Sequence, residues 1–251
     1  MVPSTDAFSL HGKKILITGA SSGIGAAVAH LCADLGAELV ITGRNGDRLE
    51  AVRAGLAGEG HVSVIGDLTE STTHDALLQS AAAFDGLVSC AGIAALVPFR
   101  MATEAHLQKM LSVNYLAPMN LTRLLLYKKM FQPGSSLVYV TALAARVSPM
   151  AASAYAASKS ALDAACRTIG LEYAKQKIRA NSVAPGYVDT PMLQSLGTQA
   201  GMDHKIDLTP LGRLNPVDVA SAVCYLLAPA SRWTTRSTLT VDGGLGIAMR
   251  V

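Results

Sequence analysis

The chain has 251 residues, half of them hydrophobic and 16% charged, with a formal net charge of +3. That length and apolar content fit one large α/β domain with a fully covered sheet and further surface buried between subunits, and no linker separates its periodic segments. The small positive charge is scattered, without basic runs or interleaved aromatics, which excludes a nucleic-acid partner, and no apolar run approaches the roughly 20 residues a membrane-spanning helix needs.

Taken in chain order, short β-branched apolar runs alternate with stretches of helical period. Strands are expected at 13–18, 39–42, 62–65, 86–89, 137–141, 180–183 and 238–241, with a first helix from about residue 24 and a long one over 153–175. The alternation is βαβ, whose right-handed crossovers give an α/β fold, a Rossmann-type doubly wound sheet of seven parallel strands with helices on both faces. Ligands of such a sheet collect beyond the carboxyl ends of its strands. Residues 187–214 break the rhythm, mixing Pro191, Pro210, Gly197 and Gly212 with Met192, Leu193 and Leu196. They read as a lid-like insertion in a single domain spanning 1–251.

Cys32, Cys90, Cys166 and Cys224 are far apart and form no CxxC, and the six histidines form no ligand pair. No metal site is expected. With the polar opening MVPSTDAFSLHG lacking the apolar core of a secretory leader, the reading is reduced thiols in a cytoplasmic protein.

After the first strand comes Thr18-Gly19-Ala20-Ser21-Ser22-Gly23-Ile24-Gly25, three glycines where a strand turns tightly into a helix. Such a turn lets backbone approach a pyrophosphate, whose charge the free N–H groups of the helix N-terminus receive. A nicotinamide dinucleotide is the expected cofactor. At the end of the second strand, Val40-Ile41-Thr42-Gly43-Arg44-Asn45 lacks the carboxylate that would bind a ribose 2′-hydroxyl. Arg44 offers a cation to a 2′-phosphate instead, favouring NADP over NAD, with a plain surface arginine as the alternative. Asp67, in Gly66-Asp67-Leu68, either accepts from the adenine amine or caps the next helix.

Tyr155 and Lys159 lie four residues apart on one helix face. A phenol with a pKa of ~10 exchanges protons poorly at neutral pH, and a neighbouring ammonium is expected to lower it. Tyr155 then serves as general acid in reduction or base in oxidation, with Lys159 tuning it and holding the nicotinamide ribose. Asn114 precedes Pro118 by one helical turn, and proline has no N–H to donate to the Asn114 carbonyl. A kink is expected there, with that carbonyl free to bind a water that relays protons from Lys159.

Together with Pro185-Gly186, Thr190-Pro191, Pro216-Val217-Asp218-Val219-Ala220 and Val241-Asp242-Gly243-Gly244, these motifs resemble the short-chain dehydrogenase/reductase superfamily from Leu10 to Gly244. The resemblance implies an oxidoreductase interconverting a small-molecule carbonyl and a secondary alcohol, with Asn114, Tyr155 and Lys159 catalytic. It places Gly19, Ser21, Ser22, Gly23, Ile24, Gly25, Arg44, Asp67, Leu68, Cys90, Ala91, Gly92, Pro185, Gly186, Val188 and Thr190 at the cofactor, Val188 near the nicotinamide amide. It also implies a homotetramer, or a homodimer, built on two long central helices.

Two places depart from the pattern: the family's Asn-Asn-Ala-Gly after the fourth strand reads Ser89-Cys90-Ala91-Gly92, and the carbonyl-binding serine expected thirteen residues before the tyrosine is Ala142. Thr141 faces the other way along the strand and does not replace it. Losing one donor aimed at developing oxyanion charge typically costs ~10²–10³ in rate. Ala142 is either a Ser-to-Ala change that inactivates an enzyme, which the intact relay favours, or a native residue of a cofactor-binding protein acting as a sensor or structural subunit.

Overall fold

The computed structural model describes residues 7–197 and 199–248. The start of the polar N-terminal stretch and residue 198 of the expected lid lie outside the described residues. Seven strands among them form one parallel sheet: β1 (Lys14–Thr18), β2 (Glu38–Gly43), β3 (Val62–Ile65), β4 (Phe84–Ser89), β5 (Phe131–Val140), β6 (Arg179–Pro185) and β7 (Thr238–Val241). Their spatial order is β3-β2-β1-β4-β5-β6-β7. The direction of winding reverses between β1 and β4, which opens a crevice at their carboxyl ends. β3 and β7 keep the expected bounds, whereas β5 starts at Phe131. Its early part carries exposed Gln132, Pro133 and Gly134, which hid the strand in the apolar pattern.

The helices are α1 (Gly23–Asp34), α2 (Gly46–Ala54), α3 (Ser71–Gln79), α4 (Glu104–Leu111), α5 (Ala117–Tyr127), α6 (Ala144–Val147), α7 (Ser153–Glu172), α8 (Pro191–Gln194), α9 (Gln199–Asp207), α10 (Pro216–Leu227) and α11 (Leu245–Ala248). Period-two alternation sends Ile15 and Ile17 of β1 into one core layer with α1 and α10, and Leu16 into the other with α5 and α7. Each fully buried side chain of this size contributes roughly 1.5–3 kcal/mol relative to exposure. Both layers clamp the sheet, so the strand ends that carry the site are held rigidly.

Two expectations change in detail. The break at Pro118 is a single π-helical turn, Ser112–Leu116, between α4 and α5, so the missing amide is absorbed by widening the helix. The segment expected to be irregular contains α8 and α9, and a parallel bridge between Val188 and Leu214 zips its two ends together. Thr190 starts α8 by accepting from the Leu193 N–H at 3.3 Å, with Pro191 at the first helical position. Arg213 then grips the Asp189 carboxylate at 2.5 Å across the base of the segment.

Candidate active site

The crevice beside β1 is a cleft of about 560 Å³. Its floor is backbone packed on backbone. A Cβ on Gly25 would sit 2.2 Å from the Gly19 carbonyl oxygen, and one on Gly19, itself at φ +69°, would sit 2.7 Å from Ala91 Cα. Only glycine permits that approach. Ser22 caps α1 without a side-chain hydrogen bond, so the first-turn amides of the cleft-lining Gly23, Ile24 and Gly25 remain available to an anion. Thr190 closes over Gly23, its methyl 3.3 Å from where a Cβ would stand. The buried Thr42 hydroxyl, also on the cleft wall, has no hydrogen-bond partner among the described residues. A cradle of bare backbone, free amides and an unpaired hydroxyl suits a dinucleotide's pyrophosphate and sugar.

Of the expected cofactor residues, Gly19, Ser21, Ser22, Gly23, Ile24, Gly25, Arg44, Asp67, Leu68, Cys90, Ala91, Gly92 and Thr190 line this cleft. Tyr155, Lys159, Pro185, Gly186 and Val188 stand outside its lining, Lys159 against the far side of Gly92. Val188 is buried against Leu214, and the Pro185 carbonyl accepts the Leu143 N–H at 2.8 Å. Gly186 packs under Asp242, whose carboxylate takes the Gly244 and Gly246 amides at 3.0 and 2.9 Å and so folds the C-terminal turn.

At the β2 end, Arg44 lies 3.6 Å from Asp67. Asp67 also accepts the Thr69 amide and hydroxyl at 2.9 and 2.8 Å. Those bonds and Arg44 hold its carboxyl below the usual range, the Thr69 amide most strongly. Asp67 therefore shapes the turn ahead of α3 without capping it, since Glu70 stands at the cap with no side-chain hydrogen bond. Exposed ion pairs of this kind contribute at most about 1 kcal/mol, so Arg44 is readily drawn to a stronger anion. Arg48 also lines the cleft. It sits in the first turn of α2, whereas Arg44 precedes the Asn45 cap, so no helical spacing links the two and the sequence carried no signal for it.

At the other end, Lys159 is buried and its ammonium donates to the Val140 carbonyl at 2.8 Å. Asn114 is fully buried: its Oδ1 accepts the Ile93 N–H at 2.8 Å, and its Nδ2 donates to the Ile93 carbonyl and to Ser158 Oγ, both at 3.0 Å. Ser158 donates in turn to the Tyr155 carbonyl at 2.7 Å. A Cβ on Gly92 would lie 3.0 Å from Asn114 Oδ1 and 3.3 Å from Lys159 Nζ, so both converge on the cleft wall at Gly92. Ser158 and Ile93, which tie the π-turn to the catalytic helix and the β4 loop, carried no signal in the sequence.

The electrostatics correct one expectation. Burial pushes the half-buried Tyr155 phenol up to about 12, and pushes the Lys159 ammonium down to about 8. With Lys159 donating to the Val140 carbonyl, desolvation dominates at both groups, opposite to the lowering expected of the ammonium. Burial also pushes the Cys90 thiol up to about 12, against a smaller lowering by Lys159, so Cys90 is a neutral thiol. Ala142 is buried, and the Thr141 hydroxyl donates to the Val183 carbonyl at 3.0 Å, away from the site as expected. Ser153 has a buried hydroxyl with no partner among the described residues, but it stands two residues from Tyr155, on the opposite side of α7. It does not supply the missing donor.

The family model described as enoyl-(acyl carrier protein) reductase matches residues 19–246. A chloroplastic tropinone reductase homolog of Arabidopsis thaliana is 32% identical over 98% of this chain and 79% of its own length. Among solved structures, a dehydrogenase/reductase from Sinorhizobium meliloti 1021 superposes with a TM-score of 0.87 at 28% identity, covering 96% of this chain and 97% of its own. A 3-ketoacyl-(acyl-carrier-protein) reductase from Brucella melitensis, complexed with NADH, also has a TM-score of 0.87 at 28% identity, covering 95% and 100%.

Proposed function

Since this chain belongs to the short-chain dehydrogenase/reductase superfamily and is an oxidoreductase of that kind, we propose that it interconverts an apolar ketone and its secondary alcohol using NADP(H). The observation that carries the reading is the convergence of Lys159 and Asn114 on the Gly92 wall, at the opposite end of one cleft from Arg44 and Arg48. A dinucleotide in the cleft supplies or takes up the hydride. The chain's residues do the rest. The α1 amides would hold the pyrophosphate, and the guanidiniums of Arg44 and Arg48, both on the cleft wall, would hold a 2′-phosphate, the fork geometry suiting phosphate oxygens. Tyr155 gives its phenolic proton to a nascent alkoxide, and a charged Lys159 stabilises the phenolate left behind.

The apolar substrate class is supported by the loops around the mouth. Phe99, Met101, Met150 and Leu211 are 61–94% exposed on loops beyond the carboxyl ends of β4, β5 and β6. Thr190, Pro191 and Met192, at the start of the segment whose ends Arg213 and Asp189 tie together, line the cleft and support its reading as a lid. Leu116, Tyr127 and Leu171, exposed on the outer faces of the α5 and α7 region, support assembly into a homo-oligomer through those helices.

A second reading is favoured by Ala142: a protein that binds cofactor and ligand but turns over little. Equilibrium titration tests the cofactor assignment. Wild type should bind NADPH at least about tenfold more tightly than NADH, and Arg44→Asp should weaken NADPH alone by about 10–100-fold, as for a lost charged hydrogen-bond partner. Equal losses for both dinucleotides would remove Arg44 from the 2′-phosphate.

A further inference from the structure

The cations that look scattered along the chain are gathered by the fold. Lys128 and Lys129 lie just before β5, Lys175 and Lys177 before β6, and Arg232 and Arg236 before β7. These are three neighbouring parallel strands, so all six stand at the amino-end rim of the sheet, the edge opposite the cleft. The entry turns touch one another: the Gly134 amide donates to the Lys177 carbonyl at 3.1 Å, and Arg179 on β6 donates to the Thr234 carbonyl at 3.0 Å. All six are exposed, and none forms an ion pair among the described residues; the Arg236 side chain donates to the Arg167 carbonyl. Residues 127–137, 173–179 and 232–241 contain no Asp or Glu. Of the flanking carboxylates, Glu172 ends α7, Asp163 is held by Arg167, and Asp85 is held by Lys13 and the Lys14 amide.

Two further features mark the rim. Trp233, the only tryptophan in the chain, lies between the two arginines and is 96% exposed. Of five described non-glycine residues with positive φ, three are rim cations: Lys129 (+56°), Lys177 (+60°) and Arg236 (+61°). Left-handed backbone favours glycine, and each of the three strand entries has a long cation there instead. Strained positions of this kind cluster at functional surfaces.

We propose that the amino-end rim of β5, β6 and β7 docks on an anionic lipid surface, with the Trp233 indole entering the headgroup layer and the six cations facing lipid phosphates. An indole flanked by arginines suits that layer, where an amphipathic ring sits between apolar and wet regions. Clustered Lys and Arg supply the attraction to negative headgroups. A single-stranded polynucleotide would use several aromatics stacked along a groove, whereas one indole stands here among separate turns. Docking is peripheral, since no helix among the described residues is long and apolar enough to cross a membrane. It leaves the cleft open on the far edge.

Trp233 is its own probe. Its emission should shift to the blue with phosphatidylglycerol vesicles, the protein should sediment with them, and about 0.5 M salt should release it as charges are screened. Phosphatidylcholine vesicles should give neither effect. The triple variant Lys129→Asn, Lys177→Asn, Arg236→Asn keeps residues that tolerate left-handed backbone. It should bind phosphatidylglycerol about 100-fold more weakly, at roughly fivefold per cation, with NADPH affinity unchanged as the control for folding. Equal binding to both lipids, no binding to phosphatidylglycerol, full binding by the triple variant, or a blue shift with single-stranded DNA but not with vesicles would each overturn the proposal.

Discussion

Replacing Lys159 by Met should make the protein more stable at neutral pH, and the gain should vanish in alkali. The ammonium sits at about 8 in the fold because burial disfavours its charged form, against 10.5 for the free side chain. Between those values the unfolded chain binds the proton more tightly than the native one. Wild-type stability from this group therefore rises as pH climbs from 8 towards 10.5, and below 8 the fold carries the full penalty of a buried charge. At about 1.36 kcal/mol per pH unit the window is worth about 3 kcal/mol. Lys159→Met lacks that dependence, so its stability relative to wild type should fall by about 3 kcal/mol between pH 7 and 10.5. Guanidinium denaturation at intervals across that range measures it. A difference that stays constant with pH would show that Lys159 is solvated in the native state and refute the reasoning.

Asn114→Ala would leave the Ile93 amide and carbonyl without their side-chain partner. At roughly 1–3 kcal/mol per buried unpaired group, urea denaturation should show a loss of about 3 kcal/mol, and a loss under about 1 would mean that water replaces the amide. Gly25→Ala forces a Cβ to 2.2 Å from the Gly19 carbonyl, so the α1 turn must move and NADPH affinity should fall at least about tenfold by fluorescence titration; an unchanged affinity would detach this turn from the pyrophosphate. Lys177→Gly relieves a left-handed lysine at φ +60°. It should raise stability by about 0.5–1 kcal/mol, the left-handed penalty less glycine's entropy cost, and any destabilisation would mean that the lysine stem packs favourably.

The sheet was legible because its signals are local. Runs such as Val62–Ile65 and Thr238–Val241 are β-branched and sharply bounded, and their alternation with helical stretches dictates parallel pairing. The glycine turn and the Tyr155–Lys159 spacing were equally local. What was missed depends on three dimensions. The helices α8 and α9 were obscured by surrounding glycine and proline, although Thr190-Pro191 is a helix start. Desolvation of Tyr155 and Lys159 depends on what packs around them, which spacing does not reveal. Lys129, Lys177 and Arg236 look scattered along the chain and become neighbours only through the order of β5, β6 and β7.

The most direct test of the central claim is NADPH oxidation, followed by absorbance, with a panel of apolar ketones and two proteins, the wild type and Ala142→Ser. If Tyr155, Lys159 and Asn114 form a working proton relay that lacks only the carbonyl-binding hydroxyl, Ala142→Ser should turn over at least one ketone about 10²–10³ times faster than wild type. No turnover by either protein with any ketone, while NADPH still binds, would contradict the oxidoreductase chemistry assigned to this site and leave the binding-protein reading in its place.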